Sequence, residues 1–127
     1  PFLQRLFPFL GGKSKKKSSK KKKYVNPYEN YGQQKINRLF FKASTEGNIK
    51  LMKRLIEEGA IIDAKNMHGR TPLIEAARRS DFEVVKTLID LGASINTRDN
   101  YDATALTYAT RTGNSRIIQL LLNNGAQ

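Results

Sequence analysis

A chain of 127 residues with 39% apolar side chains is the size of one domain and leaves no room for a large enzyme. It holds no cysteine and one histidine, His68, which excludes disulfide frameworks, zinc ribbons, thiol nucleophiles and His-rich metal sites, and leaves Ser-His-Asp catalysis only if His68 serves. The net charge of +12 is uneven, with +9 in residues 1–35 and +3 in residues 36–127, so leader and remainder need separate explanations.

Residues 1–12 are half Phe or Leu, and residues 13–23 are lysine and serine only. The apolar stretch Phe2–Leu10 is broken by Gln4, Arg5 and Pro8 and is shorter than the roughly 20 residues of a membrane-spanning helix, so no transmembrane helix is expected. A secretory signal places cations before its apolar region. Here the lysines follow it, and a remnant of a targeting segment or a stop-transfer flank is the weaker reading.

The lysine run repels itself, so residues 1–23 are expected to form an arm without a core of their own. Lys13, Lys15, Lys16, Lys17, Lys20, Lys21, Lys22 and Lys23 suit an anionic surface, either nucleic-acid phosphate or acidic lipid. Phe2, Leu3, Leu6, Phe7, Phe9 and Leu10 beside them suit a membrane interface, as in two-signal peripheral anchors, or a groove in a larger complex. The competing reading is a solvated tail. Ser14, Ser18 and Ser19 lie among the lysines, where phosphorylation would cancel positive charge. Gly12-Lys13-Ser14 fails as a phosphate-binding loop, because Phe7 stands where that motif needs glycine. Residues 24–35 read as a linker whose Tyr24, Tyr28 and Tyr31 either stack on bases or, the favoured reading, pack on protein.

From residue 36 onward the chain repeats itself. Gly-Ala recurs at Gly59-Ala60, Gly92-Ala93 and Gly125-Ala126, each 33 residues after the last. Ahead of each pair stands an apolar quartet in the same register: Leu51, Met52, Leu55, Ile56; Val84, Val85, Leu88, Ile89; and Ile117, Ile118, Leu121, Leu122. The i, i+1, i+4, i+5 spacing is one stripe of a helix, and the glycine after it suits the left-handed position that ends one. Upstream, Thr71 reads as an N-cap with Pro72 at the first helical position. Ser80, in register with Gly47 and Gly113, separates first helix from second.

The period, Gly69-Arg70-Thr71-Pro72-Leu73, Ala76-Ala77, the apolar quartets and the Gly-Ala pairs resemble ankyrin repeats. The third copy keeps Thr104, Leu106, Ala109 and Gly113 but has Asp102 for the turn glycine and Ala105 for the proline. The first has Arg38 for Thr and Phe40 for Leu, as a terminal repeat would. The expected fold is therefore all-α: a solenoid of helix-turn-helix units joined by β-turn or hairpin loops, with repeats at about 36–63, 64–96 and 97–127, behind an extended basic N-terminal arm and linker at 1–35. Three repeats are about the minimum for a stable stack. The sequence stops after the third Gly-Ala, so an uncapped end surface carrying Ile117 and Leu121 is expected, covered by a partner or by further chain, or else left bare in a marginally stable domain.

The resemblance implies a non-catalytic protein-binding module, with no cofactor and no metal, whose turn tips and first-helix faces form a concave surface. Carried over by register, the candidates are Lys65, Met67, His68, Arg70, Arg78, Arg79, Arg98, Tyr101 and Arg111, with Asn100, Ala103 and Thr112 beside them and Gln34, Lys35, Thr45 and Glu46 in the first repeat. Their cations point to an acidic or phosphorylated partner, with Met67 and Tyr101 as apolar anchors; the competing reading is that Arg78 and Arg79 only solubilise a helix. His68 is expected to bond an adjacent loop, and Asp99 and Asp102 to be turn residues rather than a calcium loop. The functional expectation is an accessory or scaffold subunit of a larger complex, tethered by its arm. An RNA-binding assembly protein and a peripheral membrane adaptor are the alternatives, and an intracellular setting is favoured.

Overall fold

The computed structural model describes residues 31–127. They form six helices: α1 Tyr31–Glu46, α2 Ile49–Glu57, α3 Pro72–Arg78, α4 Phe82–Asp90, α5 Ala105–Thr112 and α6 Ser115–Asn123. No strand occurs among the described residues, and the loops between helical pairs are tight turns instead. Residues 1–30, including every arm lysine and apolar anchor named above, lie outside the described part.

Each pair is built from the same local signals. The side chains of Asn48, Asp81 and Asn114 cap α2, α4 and α6 by accepting from the backbone N–H three residues on. Between the helices of a pair the backbone must turn left-handed, and it does so at Gly47, Ser80 and Gly113, with φ of 73, 61 and 76°. Two of these three are glycine, and Ser80 adopts the same angle with a Cβ. After each second helix the alanine of the Gly-Ala pair donates its N–H back to Leu55, Leu88 or Leu121 at 2.9–3.0 Å, closing the helix end.

The pairs then stack. α3 packs on α4 within its repeat and on α5 of the next, and α4 packs on α6. Small residues at the interface, Ala43, Ala76, Ala77 and Ala109, are all at most 4% exposed and let the first helices approach closely. Phe40, Met52, Leu73, Ile74, Val84, Val85, Leu88, Ile117 and Leu121 fill the remaining core. Loop side chains lock successive repeats: Asp63 accepts from the N–H and hydroxyl of Ser94, and, 33 residues on, Asn96 accepts from the N–H of Gln127.

Two expectations are corrected. Ile117 and Leu121 do not lie on an end surface; both are fully buried, because they face back onto the second repeat. The end surface of the third repeat carries Leu122, 46% exposed, with Thr110 and part of Ile118. Their counterparts Ile89, Ala77 and Val85 are covered to a greater degree by the repeat that follows. Second, Tyr31–Lys35 are not linker. They open α1, which begins eight residues before the position matching Pro72, so the first repeat has two extra helical turns where the others have a turn. Arg38, which stands where the others carry a capping Thr, is mid-helix and needs no cap. Tyr31 is 58% exposed, so little of it packs on the repeat.

Candidate protein-binding surface

Two fingers project from the stack, one ahead of α3 and one ahead of α5. Each is folded by an Asn or Asp at its base. Asn66 Oδ1 accepts from the N–H groups of His68 and Arg70 at 2.8 and 3.0 Å. In register, Asp99 Oδ1 accepts from Tyr101 and Ala103 at 2.9 and 3.0 Å. The tip then turns left-handed at Gly69 (φ 73°) and Asp102 (φ 62°). The fingers are bonded together, the Asn100 N–H donating to His68 O at 2.9 Å and its amide to Met67 O at 3.1 Å. Asp99 and Asp102 are thus turn residues.

Asp99 does more than Asn66. Its second oxygen accepts from the Tyr108 hydroxyl at 2.5 Å and from Arg70 Nε at 3.3 Å, and Arg70 also donates to the Tyr108 oxygen at 3.2 Å. The Asp99 side chain is fully buried. Burial pushes its pKa up, but the bonds from Tyr108, Ala103, Tyr101 and Arg70 prevail and hold it at about 2, below the ordinary 3.8. The bond from Arg70 to Tyr108, opposed by burial and reinforced by Asp99 and Glu75, raises the guanidinium pKa. Arg70, only 13% exposed in its side chain, therefore joins the second repeat to the third and presents an edge rather than a free charge.

Around that edge the structure gathers much of the expected surface. Arg70, Arg78, Tyr101, Tyr108, Arg111 and Thr112 line an open cleft of about 540 Å³. The Arg70 and Arg111 guanidiniums lie 5.4 Å from the Tyr108 ring centre on which both are placed. Arg78 is paired with Glu75 at 3.8 Å, and Arg98 with Asp102 at 3.0 Å. Arg79 donates to Thr45 O at 3.3 Å, tying the second repeat to the first. His68 Nδ1 lies 3.3 Å from the Tyr101 hydroxyl, a bond to the adjacent finger. Met67 and Tyr101 are 84 and 63% exposed at the tips.

Lys65 and Met67 fall outside this cleft and border a separate groove with α1. Tyr108 was not among the residues picked out from the sequence, nor were Arg38, Phe41 and Lys42 of that groove. The signal was present: Lys42, Glu75 and Tyr108 are 33 residues apart, the same register position of each first helix. Among the described residues, no three His, Asp or Glu side chains are grouped to hold a metal ion, and no helix is long and apolar enough to cross a membrane.

Paired helices stacked in a 33-residue register with projecting turns, all of 7 to 9 residues except the 16-residue α1, define a helical-repeat solenoid, a class that recognises partners across an extended face. Residues 39–127 match the family model for ankyrin repeats, in three copies. The chain belongs to the ankyrin repeat family, whose members are generally non-catalytic modules for protein–protein interaction. No curated protein matches the chain.

Proposed function

We propose that this protein is an accessory or scaffold subunit that captures an acidic partner on the finger and first-helix face of its repeats, and that its lysine arm tethers the assembly to an anionic surface. The observation that carries the reading is the make-up of that face. Lys65, Arg78, Arg79, Arg98 and Arg111 are exposed together with the apolar tips Met67 and Tyr101, while the apolar quartets, Leu122 excepted, are buried or partly buried in the stack. Cations interspersed with exposed aromatic and Met side chains favour an acidic polypeptide with apolar anchors.

The test is capture of partner proteins at low salt by the full chain and by R78E/R111E. Both arginines are exposed, so helical content should stay the same while capture falls; undiminished capture refutes the basic-face reading. The arm is tested by removing residues 1–23. Loss of binding to vesicles containing anionic lipid supports a peripheral membrane adaptor. Loss of RNA retention with a steep salt dependence supports an RNA-bound assembly protein. Normal localisation and assembly without residues 1–23 would refute tethering altogether.

A further inference from the structure

The first repeat has a helix where the others have a finger, and this leaves space. A finger ahead of α1 would bond to the finger at residues 64–70, as that finger bonds to the next through Asn100. Instead the outward face of α1 and the near side of the finger enclose a groove of about 600 Å³. Its α1 wall runs through Gln34, Arg38, Phe41, Lys42 and Thr45, a helical stripe at three- and four-residue spacing. The opposite wall is the finger with Lys65 and Met67.

The charge of this groove is one-sided. Arg38, Lys42 and Lys65 line it and no acid does. None of the three has an ion-pair partner among the described residues, whereas Arg70, Arg78 and Arg98 on the same face all do. Asp63, one residue before the lining Ala64, is turned away and bonded to Ser94. Glu46, which follows Thr45, does not line the groove. Between the cations sit a half-buried Phe41 and a Met67 that is 84% exposed, a long apolar side chain held in water at no evident benefit to the fold. Unbranched Met adapts to varied apolar partners, and an unneutralised basic rim selects against any but an anionic one.

We propose that this groove binds an acidic segment of a partner polypeptide. An apolar side chain of that segment enters between Phe41 and Met67, and carboxylates on either side of it meet Arg38, Lys42 and Lys65. A peptide fits better than a single-stranded nucleic acid, because the lone aromatic ring is half-buried and offers no series of open faces for stacking bases. The proposal rests on the protein-binding reading above and gives it a second site, apart from the arginine cleft.

The experiment measures fluorescence anisotropy of labelled dodecapeptides against the full chain. One probe has a central Phe flanked by Asp and Glu, a second has that Phe replaced by Gly, and an oligouridylate of equal charge is the third. Variants are R38E/K42E, K65E/M67S and, as the comparison, R78E/R111E, each checked for unchanged helical content. The lysine arm contributes a background common to all, so the variants isolate the groove. The expected result is that the Phe peptide binds R38E/K42E at least about tenfold more weakly, with a loss of about three- to tenfold for K65E/M67S, from the strength of desolvated charge pairs and of one apolar anchor. The Gly peptide should bind wild type and K65E/M67S more nearly alike. Losses confined to R78E/R111E would overturn the groove and leave the protein-binding reading standing. Unchanged peptide affinity in all three variants would overturn both. Loss of oligouridylate binding alone in the groove variants would assign the groove to nucleic acid.

Discussion

Replacing Asp99 by Asn tests the joint between the second and third repeats. The amide keeps Oδ1, so the turn bonds to Tyr101 and Ala103 persist, as they do at Asn66. What is lost is the charge that faces Arg70 and receives the Tyr108 hydroxyl. A carboxylate held at about 2 against an ordinary 3.8 corresponds at most to about 2.5 kcal/mol of folding stability. Arg70 keeps an edge in solvent and the joint lies near the surface, so about 1–2 kcal/mol is the realistic share. Leaving the largely buried guanidinium facing an amide adds to this, and D99N should lose about 2–3 kcal/mol at pH 7.

The pH dependence has a definite sign. Because folding lowers the pKa, the contribution of Asp99 is complete above about pH 5, where the carboxyl is ionised in both states. Below that, the unfolded chain binds the proton first, and the contribution fades until the folded carboxyl is protonated near 2. Urea unfolding followed by circular dichroism, on both proteins between pH 7 and pH 2.5, should show a gap in midpoint that narrows below about pH 5. An equal midpoint at pH 7, or a gap that stays constant down to pH 2.5, would refute the electrostatic account of this joint.

Other consequences are local. A Cβ on Gly69 would lie 2.3 Å from Asn100 Oδ1 and 2.9 Å from the Asn100 backbone nitrogen, at φ +73°, so G69A should destabilise by about 2–3 kcal/mol. Ser80 adopts φ 61° in open register with Gly47 and Gly113, and S80G should stabilise by about 0.5 kcal/mol, relief of strain exceeding the added freedom of the unfolded chain. Thermal midpoints moving in the same direction for both would contradict this assignment. D81A removes the cap that receives the Val84 N–H and should cost about 1 kcal/mol, read from the urea midpoint. L121K should prevent folding, whereas L122K, on the open end face, should change stability by no more than about 0.5 kcal/mol in the same assay. Equal damage from the two would mean that the inward and outward sides of α6 have been exchanged.

Much of the fold was legible because repetition multiplies weak signals. One Gly-Ala or one apolar quartet says little. Three at a fixed 33-residue interval set helix, turn and register together, and the breaks between helices at Gly47, Ser80 and Gly113 followed from alignment, while their left-handed angles came from the structure. The stripe showed that Ile117, Ile118, Leu121 and Leu122 share a helical face, but a quartet cannot say which side meets the preceding repeat. That depends on the direction of stacking, and the structure turns Ile117 and Leu121 inward and Leu122 out. The beginning of α1 was missed for a related reason. Its first two turns have no matching segment in the other repeats, so register had nothing to compare.

The surface divides in the same way. The sequence by itself determined that cations and two apolar tips would recur at outward positions, since outwardness is a matter of period. Only the tertiary structure decided which charges are free. Arg70, indistinguishable in sequence from Arg78 or Arg111, is drawn into a joint with Asp99 and Tyr108, because the next finger brings a buried carboxylate against it from 29 residues away. Arg38 and Lys42 have no such neighbour, since the finger that faces α1 carries Asn66 in register with Asp99, and its Oδ1 accepts from His68 and Arg70 of its own turn. Whether a charge recognises a partner or holds the fold together is settled by what packs beside it, and that is a property of the stack rather than of the chain.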